Sequence, residues 1–172
     1  MYGLGRYPAL NVAVVWGVRM FPMKLVHLIE AHADKLSEGL IQELENSGRC
    51  EELLRKVPAE ELRRRCYEIY RHVSDWMVER RESEVEERYI GLGARRAKQG
   101  VSFSELLWAL NITKEHLWEY LQREGVLEEP VDFYGAMQLL RSLEKFFDTA
   151  SYFASVGYEL GTRSEEKHKA VA

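Results

Sequence analysis

The chain has 172 residues, with 24 Lys and Arg against 28 Asp and Glu, which gives a formal charge of −4. That length suits one domain, large enough to bury about 70% of the surface its unfolded form would expose. The mildly acidic balance supplies no global field to hold the protein on nucleic acid or an anionic membrane, so neither is expected as a partner. Only four prolines, abundant Leu, Glu and Arg, and no regular alternation of apolar and polar residues argue against a β protein. They point to an all-α single domain, a helical bundle of about five or six helices.

Residues 1–21 contain the apolar run ALNVAVVWGV. It is too short to span a bilayer and lacks the cleavage site of a signal peptide, and it is read as an N-terminal extension before a domain over residues 22–161. From Pro22, whose fixed backbone angle suits a first helical turn, Leu25, Leu28, Ile29, Leu36, Leu40 and Leu44 keep helical spacing as far as Gly48. One long helix is expected there. Glu51 to Val57 reads as a short turn of helix, and Pro58 opens another with a seam of Leu62, Cys66, Ile69, Val73 and Trp76. Arg63, Arg64 and Arg65 fan around that helix, which favours a solvated side paired with Glu60 and Glu61 over an anion site.

Ser83 with Glu86 has the spacing of a capping box, in which a hydroxyl takes a free N–H at a helix start and a carboxylate reaches back. The helix it begins should close at Gly100, with Arg95, Arg96 and Lys98 set against the negative end of its dipole. Gly91 and Gly93 lie inside this helix, where each costs about 1 kcal/mol against alanine. Their presence implies that another backbone or a bound molecule comes close, and close helix packing is the plainer of the two.

The stretch Ser102 to Leu121 is the densest run of large apolar residues at helical spacing. Phe103, Leu106, Leu107, Leu110, Leu117 and Leu121 fall along one side, and Ser102 with Glu105 forms a second capping box. After a loop between Gly125 and Pro130, a last helical pattern runs from Val131 to about Leu160, long enough to reach roughly 45 Å. Its seam is Ala136, Leu140, Leu143, Phe147, Ala150, Ala154 and Gly157, where small residues admit another helix, within the chain or from a second copy. Residues 162–172 are charged and small and read as a flexible tail.

Candidate chemistry is sparse. Cys50 and Cys66 match no zinc or disulfide spacing, which favours a reduced, cytoplasmic protein. His27, His32, His72, His116 and His168 are scattered, and no nucleophile elbow, P-loop or dinucleotide fingerprint occurs, so an enzyme is not expected. A haem or metal protein of globin type, using His116 or His72, stays open as the alternative. A small ligand, if one binds, is placed by Tyr89, Gly93, Trp108 and His116, which cluster on the two helices joined at Gly100.

The segment YIGLGARRAKQGVSFSELLWALNITKEHLWEYL, Tyr89 to Leu121, resembles the RsbRD-type N-terminal sensory domain of stressosome co-antagonist proteins and some sensor kinases. Weaker likeness lies at LVHLIEAHADKL and at FFDTASYFASVGYE, and the resemblance extends over Phe21 to Glu159. It implies an all-helical, globin-like, cofactor-free sensory module, often a homodimer, that meets a signalling protein partner. The chain departs from the family pattern in stopping soon after its last helix, with no room for a phosphorylated output or kinase domain.

Overall fold

A computed structural model describes residues 23–78, 82–124 and 130–171. Among them stand eight helices and no strand: α1 (residues 23–31), α2 (Ala33–Asn46), α3 (Glu51–Lys56), α4 (Ala59–Arg71), α5 (Val73–Val78), α6 (Glu82–Lys98), α7 (Phe103–Glu124) and α8 (Pro130–Val171). The N-terminal extension, Pro22 and Gly125 lie outside the described residues.

The all-α expectation holds, and the count exceeds five or six because two expected helices are each broken at a histidine. The first long helix turns at His32 (φ −110°, ψ 19°), whose N–H is shared at 3.2 Å between the carbonyls of Leu28 and Ile29. The helix opened by Pro58 breaks at His72 (φ −118°, ψ 30°). Neither break contains proline or glycine, so periodicity carried no sign of them. They are joined across the fold, since Glu30 Oε1 accepts the Ser74 N–H at 2.8 Å near the start of α5.

Burial follows the apolar spacing. One core gathers Leu25, Ile29, Leu40, Leu53, Cys66 and Tyr70 with Leu117 and Leu121 from α7 and Leu139, Leu143 and Phe147 from α8. A smaller one joins Val85 and Tyr89 of α6 to Leu106 and Leu110 of α7 and Ala150 and Ala154 of α8. The central stretch therefore serves both cores. Its stripe needs adjustment: Phe103 and Leu107 are half-buried, while Thr113 and Tyr120 are buried. Thr113 hides its hydroxyl by donating to the Ala109 carbonyl at 2.7 Å.

The most extensive helix contact lies between α6 and α8, which run in the same direction with α7 antiparallel to both. A Cβ on Gly93 would fall 2.0 Å from the Ala154 carbonyl oxygen, one on Gly157 2.0 Å from the Ile90 oxygen, and one on Gly161 2.9 Å from the Ala94 oxygen. Backbones meet there with no room for side chains. This explains Gly93 and assigns the Ala150, Ala154 and Gly157 seam to packing within the chain, the inner of the two options the sequence left open. Gly91 is different, with nothing within 4 Å of an added Cβ.

At its C-terminus α6 closes on Gly100 (φ +70°), whose N–H donates to Ala97 while that of Val101 donates to Arg96 at 3.1 Å. These two bonds form the expected left-handed cap. Tyr158 fastens α8 to this corner by donating to the Val101 carbonyl at 2.8 Å. α8 has 42 residues, roughly 63 Å of helix, and passes the expected end near Leu160 to reach Val171. The final stretch, read as a tail, continues the helix.

Gly157→Ala should force α6 and α8 apart and cost about 3 kcal/mol, and Ala154→Leu should act similarly. Gly91→Ala should instead stabilise by up to about 1 kcal/mol, because only helix propensity changes. Urea denaturation of the three variants checks this contrast.

Candidate functional site

The two expected capping boxes fare differently. Ser102 Oγ accepts the Glu105 N–H at 3.4 Å, as expected, but the Glu105 carboxylate does not reach back. It crosses to α3 and accepts the Leu53 N–H at 2.8 Å, while Glu52 of α3 accepts the Ser102 N–H at 3.1 Å. The two helix starts thus exchange their acidic caps. Lys56 completes the corner, bonding Glu52 at 2.7 Å and donating to the Gly100 carbonyl. Hydrogen bonding from that ammonium holds the Glu52 carboxyl below its ordinary value. The Ser83–Glu86 box does not form at a helix start, since Ser83 lies inside α6, which begins at Glu82.

The four residues expected around a small ligand are not brought to one cavity. Tyr89 is buried in the smaller core with its ring edge-on to Phe146 at 5.9 Å, and Gly93 lies beneath the α8 backbone. Trp108 faces the other way, with the Arg49 guanidinium 4.4 Å above its ring. His116 turns toward α2, where its Nδ1 lies 2.6 Å from Glu43 Oε1 and its Cε1–Nε2 edge rests on Gly39. That setting leaves no open face on His116 for a haem. His72 is exposed beside Asp75 at 3.0 Å, in a groove walled by charged residues, where a porphyrin would find no apolar wall. Among the described residues no group of three or more His, Cys, Asp or Glu side chains is placed to hold a metal ion.

The arginines also depart from expectation. Arg64 and Arg65 pair with Glu68, at 3.9 and 3.0 Å, where Glu60 and Glu61 were the expected partners. Glu61 instead serves Arg96, which was expected to answer the negative end of the α6 dipole and is only 2% exposed. Arg96 Nη1 bonds Glu61 at 2.7 Å and Gln99 at 2.6 Å, and Gln99 returns a bond to Glu61 at 3.1 Å. Burial works against the Glu61 carboxylate, yet its bond to Arg96 and the charges of Arg96 and Arg95 outweigh burial and hold the group below its ordinary value. Beside this network the Cys66 thiol is pushed up to about 12 by burial, so it stays protonated, and Cys50 and Cys66 are both free.

Several surfaces among the described residues could meet something else, one of them a polar groove of about 630 Å³ between α2 and α4 that contains Asp34, Gln42, Glu45, Glu60 and Arg63. Between α4 and α6 runs a polar groove of about 610 Å³ containing Arg65, His72, Glu87, Gly91 and Arg95. Between α7 and α8 lies a smaller one of about 210 Å³, floored by Leu117, Leu140 and Phe147 and edged by Trp118. Along the outer side of α8, Phe133, Tyr134, Met137 and Tyr152 are more than half exposed, separated by exposed Arg141, Glu144, Lys145 and Asp148. Of the residues expected at an interface, Leu143, Phe147, Ala150, Ala154 and Gly157 are buried inside, and Ala136 and Leu140 are half-buried against the larger core. The small-residue seam signalled a close contact, and the outer aromatics were the signal for a surface.

Because the folded Glu61 value lies below the unfolded one of 4.5, the pair's contribution is complete above about pH 4.5 and lost as pH falls through the folded value. Glu61→Gln should cost about 3 kcal/mol at neutral pH by leaving the Arg96 charge uncompensated. The variant's deficit should shrink on acidification toward pH 3, as read from denaturation midpoints at several pH values.

Among the described residues no helix is long and apolar enough to cross a membrane. Comparison with curated proteins and with solved structures gave no significant match. A family model described as the RsbT co-antagonist protein rsbRD N-terminal domain matches residues 30–168, most of the chain and nearly all of the described helices. With its helical architecture and the resemblance centred on α6 and α7, the match shows that this chain belongs to the RsbRD N-terminal domain family.

Proposed function

We propose that this domain is a non-catalytic sensory and protein-interaction module of bacterial signalling type, which works in the cytoplasm as a homodimer and passes its signal along α8. The observation that carries the reading is the double character of α8. Its inner side is fastened to α6 and α7 through Ala154, Gly157 and Tyr158, while its outer side keeps large apolar residues in water. A shift of α6 or α7 cannot leave such a helix in place, because close-packed backbones transmit displacement.

The outer side of α8 is self-complementary. Two copies laid antiparallel about a point between Arg141 and Glu144 set each Arg141 against Glu144 of the other copy, with Phe133 and Tyr134 near Tyr152. The four large apolar residues contribute about half of the roughly 800 Å² per partner that a stable dimer needs, and the charged residues between them fix the register. Beyond Gly161, which meets α6 at Ala94 and Ala97, α8 continues to Val171.

Light scattering at micromolar concentration should give a dimer. Tyr134→Glu with Met137→Glu should give a folded monomer, because both side chains are exposed. Arg141→Glu should weaken the dimer by about 1 kcal/mol or more, and adding Glu144→Arg should restore it. A monomeric wild type, or a charge swap without rescue, would remove this arrangement.

A further inference from the structure

Beside the larger core, polar groups from three helices come together, and one of their two possible contacts is made. His116 of α7 holds Glu43 of α2 through Nδ1 at 2.6 Å, with 13% of its own side chain exposed against 40% for Glu43. Its other ring nitrogen, Nε2, is buried with no hydrogen-bond partner among the described residues. Tyr70 of α4 is completely buried with its ring 6.1 Å from the imidazole, and its Oη has no partner among them either. Unpaired buried groups cost stability, so two in neighbouring rings require an explanation. Gly39, one turn before Glu43 on α2, is fitted to the same ring. A Cβ there would fall 2.9 Å from His116 Cε1 and 3.2 Å from Nε2, so α2 forgoes a better helix former to admit that edge.

A carboxylate accepts, so Nδ1 donates to Glu43, and in a neutral imidazole Nε2 is then an acceptor without a donor. Burial pushes the Tyr70 hydroxyl well above its ordinary value, so it keeps its proton and is a donor without an acceptor. The two are complementary, yet they do not meet while Glu43 grips the other nitrogen. We propose that His116 is a two-position switch between α2 and α4, held by Glu43 in one position and accepting the Tyr70 hydroxyl in the other. Each position satisfies one contact and leaves the other open, which keeps the two close in free energy. Glu43 is the exposed partner and the part that a bound molecule can reach. Tyr70 is the dry partner, in the last turn of α4 just ahead of the break at His72. One turn along α7 from His116, Tyr120 Oη lies 3.0 Å from His32 Nδ1 at the break between α1 and α2. Movement of α7 toward α4 therefore strains that break, while Leu117 and Leu121 carry it to Leu139 and Leu143 of α8. The switch rests on the sensory reading only for its consequence, because it names the internal movement by which α7 passes on a signal.

A double-mutant cycle of Glu43→Ala and Tyr70→Phe, read by thermal denaturation of the whole chain at fixed pH, tests it. Tyr70→Phe alone should leave the melting temperature unchanged or raise it by roughly 2 °C, because it removes an unpaired buried hydroxyl. Glu43→Ala alone should lower it little, since His116 is then free to take Tyr70. Both together should lower it by roughly 3 °C or more beyond the sum of the single changes, since His116 then has neither partner. In isotope-labelled protein, the Nε2 resonance of His116 should move in Glu43→Ala as that nitrogen accepts a hydrogen bond, and adding Tyr70→Phe should cancel the movement. Additive melting temperatures overturn the proposal, as does an Nε2 resonance indifferent to Glu43→Ala or a Tyr70→Phe variant that melts several degrees below wild type. A dimer with additive changes removes the switch and leaves the dimer reading intact, whereas a monomer with coupled changes leaves the switch standing without it.

Discussion

Everything on the α6 side of the molecule depends on two backbones touching. Gly93 and Gly157 give up side chains so that α6 and α8 can meet carbonyl against Cα, and Gly161 repeats the contact one turn further on. Such a contact buries little apolar area, and its strength comes from dense atom-to-atom packing. It also has little tolerance, because no side chain can rotate to absorb a displacement. The smaller core, built on Val85, Tyr89, Leu106 and Leu110, forms around this fixed line, and Phe146 connects it to the larger core. Tyr158 then sets the axial position of α8 through the Val101 carbonyl and packs on Phe103 at 5.1 Å between ring centroids.

The apolar spacing made the helices and most of their buried faces legible from the amino-acid sequence, since a 3.6-residue repeat records which side faces inward whatever the partner is. It could not name the partner. The Ala150, Ala154 and Gly157 seam announces a close contact, but the same small residues suit α6 of this chain as well as a second copy. Breaks at His32 and His72 escaped notice because they rest on backbone angles and a distant carboxylate, Glu30. Both residues at which a capping box was half correct, Ser102 and Glu105, show why local motifs mislead here: the carboxylate was free to choose a better-placed amide in another helix. The grouping of Tyr89, Gly93, Trp108 and His116 failed because adjacency on two joined helices says nothing of which side each faces.

Arg96 illustrates a different limit. Its position in the last turn of α6 is that of a residue answering the helix dipole, yet it is among the most deeply buried side chains of the protein. What permits this is the carboxylate of Glu61, held 35 residues away in sequence on α4, together with Gln99. A buried ion pair of this kind contributes modestly to net stability, and its geometric demand fixes how α4 and α6 are aligned. That alignment shapes the polar groove beside it, so a residue hidden from solvent determines the arrangement of charges that solvent meets.

The exchange of acidic caps between α3 and α7 has a consequence for how this corner opens. A six-residue helix has almost no independent stability in water, and α3 borrows its N-terminal acceptor from Glu105. α7 in turn relies on Glu52 at the amide of Ser102, the residue just before its first turn. Neither start can fray by itself, because each loss frees the carboxylate that secures the other. Segments 50 residues apart thus form a single opening unit, in which the amides of Leu53 and Ser102 become accessible to solvent hydrogen in the same event or not at all.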